Sequence, residues 1–279
     1  KTYLTWGGWL NRVKKNDVFM IGDGSASTHL KDMDAEIDKM TAPFARKMEL
    51  ADNVVTVPSG RMPVIFHPRG SLVLLLPLRA AINGRNVYTG TSPLVGKEGE
   101  KLFDEAFSVV DDATLDRRIG SAPFDDEGMP HRRIPVVENG VFQNFLFDLV
   151  TAAKSGKKSN GCASRSIFSP PGPSLSNLAV EAGDTPSGDM ISDLDEGILV
   201  EGVLGLGQGN IISGAFSNPV AAAYKIEKGE LVGRVKDAAI AGNIYSDLGE
   251  IAAIGDKQEL IYGSFLAPHI RVDSLNISA

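Results

Sequence analysis

Apolar positions change period twice in the first fifty residues. Residues 2–10 and 18–22 carry the β-branched and aromatic pattern of strands, with Trp6 and Trp9 as packing anchors. The mostly polar Asn11, Arg12, Val13, Lys14, Lys15, Asn16 and Asp17 separate the two, and Gly22-Asp23-Gly24-Ser25 closes the unit. Over residues 32–51, Met33, Ile37, Met40, Phe44 and Met48 recur at three and four, one face of an amphipathic helix that Pro43 would bend. That methionine-rich face reads as core, because thioether side chains fill irregular gaps. Strands follow at 54–57 and 63–66. Residues 71–81 then read as a buried helix kinked at Pro77, its last turn closed by Asn83-Gly84. A second helix is predicted from about Gly99 to Phe107.

Residues 121–165 organise the remainder. Phe124-Asp125-Asp126-Glu127-Gly128-Met129-Pro130-His131-Arg132-Arg133 sets three carboxylates before Gly and Pro, which predicts a shaped loop. Like charges this close repel, so the loop should be solvated or answered by Arg132, Arg133 or Arg165. Residues 134–148 flank Asn139-Gly140 with β-branched and aromatic residues, the signature of a hairpin whose turn needs two positive φ angles. A short helix-like run from Asp148 to Gly156 leads into Ser159-Asn160-Gly161-Cys162-Ala163-Ser164-Arg165, whose small residues permit close backbone approach. Beyond it lie a Pro-rich loop at 169–173, a strand at 178–180 and a helix at 190–195, with a cap offered by residues 185–189. From Gly197 onward, Gly-spaced apolar runs predict sheet with tight turns, including a hairpin at Glu227-Lys228-Gly229-Glu230, and one more helix within 238–254.

The 279 residues suffice for one large domain or two ordinary ones, and 43% hydrophobic with 23% charged residues describes a globular chain. A net charge of −7, with no basic cluster beyond Lys154-Ser155-Gly156-Lys157-Lys158, disfavours nucleic-acid binding. The single cysteine, Cys162, excludes an internal disulfide framework and suits a reducing cytoplasm. The longest apolar run, 72–78, is too short to span a bilayer, and no export signal is read.

Candidate chemistry is sparse. Gly205-x-Gly207-x-Gly209 invites a phosphate-loop reading, yet Ile211-Ile212 resumes strand-like sequence where a helix would be required, so a tight turn is expected. Asp125, Asp126, Glu127 and His131 could ligate a cation or supply an acid/base pair, against the blander expectation that they bond backbone N–H groups or water. His29, His67 and His269 have no second ligand at metal spacing and read as isolated histidines.

The ordered motifs FDDEG-x-P, ENGV-x-x-x-F-x-x-D-x-x-TA-x-x-x-G and SNGCASR resemble the C-terminal region of the TldD/PmbA family, known in many genomes as modulators of DNA gyrase. Asn177-Leu178, the 205–210 turn, Gly214-Ala215-Phe216-Ser217, Ala241-Gly242-Asn243 and Ala267-Pro268-His269-Ile270 extend it, from about Ile65 to the end. The resemblance implies an α+β fold of mixed, mainly antiparallel sheets with flanking helices. Residues 1–60 would be the tail of a preceding α+β region and 61–279 the C-terminal domain. Since the chain starts at Lys1 inside strand-like sequence, a fragment of a longer protein is expected.

TldD-type members carry His-Glu-x-x-x-His on the helix matching residues 71–81, two zinc-binding histidines and a water-activating glutamate. Aligned on Ile82-Asn83-Gly84, the histidines fall at Leu75 and Ala80, the glutamate at Leu76, and a late cysteine ligand at Ile254. No metal or other cofactor is expected there. The resemblance therefore implies a PmbA/TldE-like, non-catalytic subunit that joins a TldD-type zinc peptidase in cleaving unfolded peptides and forms a homodimer when isolated. Asp125, Asp126, Asn160, Gly161 and Arg165 are the expected groove residues. Two alternatives stand: a hydrolase acting alone through the acidic loop and His131, and a self-associating structural protein.

Overall fold

The computed structural model describes residues 3–15, 17–29 and 33–279. It opens with β1 (Leu4–Lys14), β2 (Asp17–Ser27), α1 (Met33–Asp52), β3 (Val54–Val55), β4 (Gly60–Phe66), α2 (Leu72–Ala81) and α3 (Gly84–Tyr88). The middle contributes β5 (Val109–Asp112), β6 (Arg133–Glu138), β7 (Val141–Phe142), α4 (Leu149–Lys154), β8 (Ala163–Ser164), β9 (Gly172–Pro173), β10 (Leu178–Val180) and α5 (Ser187–Ser192). The last third holds β11 (Glu196–Val203), β12 (Ala215–Glu227), β13 (Glu230–Val235), β14 (Ala239–Asn243), α6 (Ile244–Asp247), β15 (Ile251–Ile254), β16 (Glu259–Ile261), β17 (Phe265–Ala267) and β18 (Ile270–Ser278). The protein is α+β with mainly antiparallel sheets, as the resemblance implies. Only the β4–β11, β3–β13 and β10–β17 pairings among these strands are parallel.

Strand pairing in the eight-stranded sheet closes on itself. The circuit β11–β4–β18–β14–β12 returns to β11, while β13 and β3 extend from β12 and β15 adds to β18. Such closure leaves few unpaired edges. A second sheet orders β16–β17–β10–β5–β6–β7. One hydrophobic cluster spans both sheets and α2: Val64 and Ile270 come from the first, Val136 and Leu178 from the second, Leu74, Leu75 and Leu78 from the helix. A helix buried on this many positions must be apolar all round, which its Leu-Val-Leu-Leu-Leu-Pro-Leu sequence satisfies.

At the N-terminus, expectation and structure diverge. The polar stretch does not separate two short strands, because Asn11 to Lys14 continue β1 and Gly22 to Ser25 continue β2 in one long antiparallel hairpin. Thr2 and Asn16 lie outside the described residues. The polar groups find partners here: Arg12 donates to Asp52 at 2.6 Å and to the Ala51 carbonyl at 2.7 Å, and Arg234 donates to Asp17 at 2.5 Å. Trp9 is largely exposed and lies across Gly22, where a Cβ would approach its ring within 2.2 Å. The helical face of α1 does turn inward at Phe44 and Leu50, packing with Phe19 and Ile21.

Three helix-related expectations also change. Ile82 caps α2, and Asn83 instead caps α3, its Oδ1 accepting from Arg85 N at 2.9 Å. Residues 99–107 form no helix. Gly99 has a φ of 89°, and the amides of Leu102 and Phe103 both donate to Gly140 O at 3.0 Å, pinning the segment along the hairpin tip. The helix expected at 190–195 sits earlier, at Ser187–Ser192, with Pro186 at its N-cap and no side-chain cap. Asn139 and Gly140 adopt φ of 49° and 78° between β6 and β7, and Lys228 and Gly229 repeat that pair of signs between β12 and β13, as the hairpin motifs predict.

Candidate functional site

The acidic loop is held by backbone amides. Asp125, buried, accepts from Glu127 N and Met129 N through one oxygen and from Ala163 N through the other, each at 2.9 Å. Asp126 accepts from Arg165 N and Glu127 from Leu149 N, both at 2.8 Å. Each carboxylate thus meets peptide N–H groups, and Arg133 pairs with Glu181, so the expected answering cations are replaced by backbone dipoles. Peptide donors around a carboxylate make strong charge-assisted bonds and fix a loop without long flexible side chains. The bland reading of the loop is the one the geometry supports.

Asn160 and Gly161 complete the frame. Asn160 accepts from Phe147 N at 2.8 Å and donates to Phe145 O at 2.6 Å, tying the chain after β7 to the loop before β8. Gly161, at a φ of 79°, passes so close to residue 130 that a Cβ would stand 2.5 Å from Pro130 O. The close approach expected of this small-residue stretch is present, and it joins the two halves of the central segment.

A cleft of about 280 Å³ opens beside this frame. Asp125, Asp126 and Gly161 line it together with His131 and Cys162, whereas Asn160 and Arg165 do not. Arg165 is exposed, and Asn160 is half-buried and bonded to Phe147 N and Phe145 O. Cys162 is no nucleophile in this setting, since burial and the nearby Asp111 and Asp125 push its thiol far above the usual range. Asp111, also buried, is raised to about 6 by desolvation, against the bonds it accepts from Ser176 N and Oγ.

A second cleft, of about 420 Å³, lies between α2 and the Gly205–Gly209 turn, with Leu72, Val73, Leu76 and Pro77 on one wall and Leu206 and Phe216 on the other. Glycines 205, 207 and 209 all take positive φ and form a turn, not a phosphate loop. The residues after it, Ile211–Ser213, coil into a short 3₁₀ turn instead of resuming a strand. Of the positions matching the zinc motif, Leu75 is fully buried, Leu76 lines the cleft, Ala80 is half-buried and Ile254 sits inside the core. Aliphatic side chains offer a metal no lone pair, so these residues do not fit a zinc ion. No cluster of three His, Cys, Asp or Glu side chains suited to a metal occurs among the described residues.

Linear spacing hid one histidine pair. His67 follows β4 and His269 precedes β18, and because Phe66 and Ile270 are register partners, the two rings meet edge-to-face at 5.0 Å. His67 Nδ1 accepts from Arg69 N at 3.3 Å, leaving Nε2 3.8 Å from the Glu259 carboxylate. Desolvation lowers His67 well below its ordinary range and lowers His269 to about 4, while burial raises Glu259. Both rings are therefore neutral near pH 7. The only linear sign was that each histidine adjoins an apolar strand-like run.

The family model described as PmbA/TldA metallopeptidase C-terminal domain matches residues 59–279. A metalloprotease TldD homolog of Haemophilus influenzae is 31% identical over 213 residues, covering 76% of this chain and 44% of that protein. A metalloprotease PmbA homolog of the same organism is 29% identical over 231 residues, 80% of this chain and 49% of its own length. The chain thus spans about half the length of the curated relatives it matches. The crystal structure of TldE from Thermococcus kodakarensis superposes with a TM-score of 0.89 at 29% identity, over 99% of this chain and 63% of that one. No helix among the described residues is long and apolar enough to cross a membrane. With the match running unbroken through α2, the acidic loop and both sheets, the chain belongs to the PmbA/TldD family, by its PmbA/TldA metallopeptidase C-terminal domain.

Proposed function

We propose that this chain is a metal-free, PmbA/TldE-like subunit that partners a TldD-type zinc metallopeptidase in the cytoplasm and helps it process unfolded peptides. One observation carries the reading: the helix matching the zinc-binding helix of TldD-type members presents leucine and alanine where that chemistry needs imidazole and carboxylate. The likeness to TldE supports the same side of the family. Residues 61–279 act as the C-terminal domain, and residues 1–60 as the tail of a preceding α+β region. Asp125, Asp126 and Gly161 shape the peptide groove, with Asn160 bracing it and Arg165 at its edge. In the absence of its partner the chain pairs with itself.

The test is a mixing experiment. Peptide cleavage is expected only when this protein is combined with a TldD-type partner, and it should vanish when the partner's zinc-binding histidines are replaced. Cleavage that survives in that mixture and is lost on His131→Ala would instead make this chain a hydrolase in its own right.

A further inference from the structure

Lys47 and Glu201 pair where water scarcely reaches. Their side chains are 20% and 10% exposed, and ammonium and carboxylate meet at 2.8 Å. Taking two charges out of water costs free energy that their mutual attraction often does not recover. Stability alone therefore gives little reason for an ion pair at this depth.

The pair lines a third cleft, of about 170 Å³, built from three parts of the fold. The β1–β2 hairpin contributes Trp9 and Asp23, α1 contributes Phe44 and Lys47, β11 contributes Glu201, and the turn between β4 and α2 contributes His67 and Arg69. None of these charged groups lines the Asp125 cleft or the α2 cleft. An apolar hollow with a few convergent polar groups is the usual form of a small-molecule site.

The charges come in couples. Arg69 Nη1 stands 3.8 Å from Asp23 Oδ1, too far for a hydrogen bond, while Asp23 Oδ1 accepts from Gly24 N at 2.7 Å and Arg69 Nη2 donates to Tyr262 Oη at 3.2 Å. With His67 neutral, the two cations and two carboxylates of the lining cancel. A ligand of one sign would unbalance the cleft, whereas one carrying both signs side by side can add its own pair head-to-tail to Lys47 and Glu201. Lysine has three N–H donors and a carboxylate about four acceptor sites, so the bond between these two leaves capacity on each.

We propose that this cleft binds a free α-amino acid with an apolar side chain, its ammonium on Glu201, its carboxylate on Lys47 and its side chain against Trp9, Phe44 and Leu72. Size narrows the class. The volume falls well below the roughly 300–1,000 Å³ of sites for drug-sized ligands, which suits a single residue and not a peptide. Trp9, 67% exposed in the empty cleft, would gain cover from the ligand. The ligand would also tie the hairpin and α1 to the eight-stranded sheet, and so stabilise the fold by mass action.

Tryptophan fluorescence and calorimetry on the full chain test it, since Trp6 and Trp9 are its two tryptophans. L-leucine at millimolar concentration should shift the emission to shorter wavelength, raise the melting temperature and give a saturable heat of binding. Leucinamide and N-acetyl-leucine each lack one of the two charges and should bind about 10-fold more weakly or worse, as loss of a charged hydrogen bond does. Glu201→Gln should weaken leucine binding by a similar factor, and Trp9→Phe should keep the heat while losing the shift. Ala221 lines the cleft from an exposed position on β12, so Ala221→Leu should fill it and abolish binding with the ion pair and the far-UV spectrum intact. No response to leucine, equal binding of either one-charge analogue, or binding that survives Glu201→Gln or Ala221→Leu unchanged would overturn the assignment. None of these results bears on cleavage with a zinc partner.

Discussion

Asp125 accepts a hydrogen bond from the backbone N–H of Ala163 at 2.9 Å, a contact that spans 38 residues of chain and closes the acidic loop onto β8. With the two further amides on its other oxygen, this buried carboxylate is the pin of the central segment.

Replacing it should therefore act on stability before chemistry. Asp125→Ala leaves three amide donors without their anion, and hydrogen bonds to charged groups contribute about 1.5–3 kcal/mol each, not additively. We expect a loss of about 3 kcal/mol in urea unfolding, and weaker peptide processing by the mixed complex with partner zinc unchanged. Asp126→Ala, exposed and with one amide to lose, should cost about 1 kcal/mol. Equal costs for the two would contradict the central role of Asp125.

Glycine positions offer a paired comparison. Gly161→Ala sets a Cβ 2.5 Å from Pro130 O at a φ of 79°. Gly207→Ala meets the same sign of φ, 75°, with nothing within 4 Å. The conformational term alone costs about 1–2 kcal/mol, so Gly207→Ala should lose that much and Gly161→Ala clearly more, as read from thermal melts.

Metal content follows from the donor set. Purified protein is expected to hold no stoichiometric zinc after dialysis, because Leu75, Leu76, Ala80 and Ile254 cannot ligate and no group of three His, Cys, Asp or Glu side chains suited to a metal occurs among the described residues. Elemental analysis near one zinc per chain would restore the hydrolase reading.

Stability should respond to acid through two buried histidines opposed by one buried aspartate. His269 titrates at about 4 in the folded chain against an ordinary 6.5, so its contribution is complete above 6.5 and is lost as pH falls toward 4. Its neighbour His67 acts in the same direction. Asp111 is raised from 3.8 to about 6, so the folded state binds the extra proton and gains stability as pH falls from 6 toward 3.8. Each shift corresponds to about 3 kcal/mol at most. Asp111 offsets part of the histidine loss in wild type, and Asp111→Asn should uncover more of it, with stability falling more steeply between pH 6 and 4 than in wild type. Parallel curves for the two proteins would show that Asp111 does not titrate there.

Local sequence determined the hairpins, the α1 face and the buried α2, because turn φ angles and side-chain periodicity are properties of neighbouring residues. Asn139-Gly140 needs no distant partner to turn the chain, and the run from Leu72 to Leu78 could only be buried. The absence of metal donors on α2 was equally legible, since aliphatic chemistry does not depend on the fold. Tertiary structure alone decided the rest. Residues 99–107 were drawn from a helix by backbone bonds to Gly140, and Arg12 and Asp17 became strand residues because Asp52 and Arg234 stood ready to pair with them. Backbone donors 22, 38 and 39 residues away, added to the two local amides on Asp125, settled the charge balance of the acidic loop, and a strand register brought His67 onto His269. Such partners lie far apart in the chain and converge only when the sheets form, so no local pattern of residues could announce them.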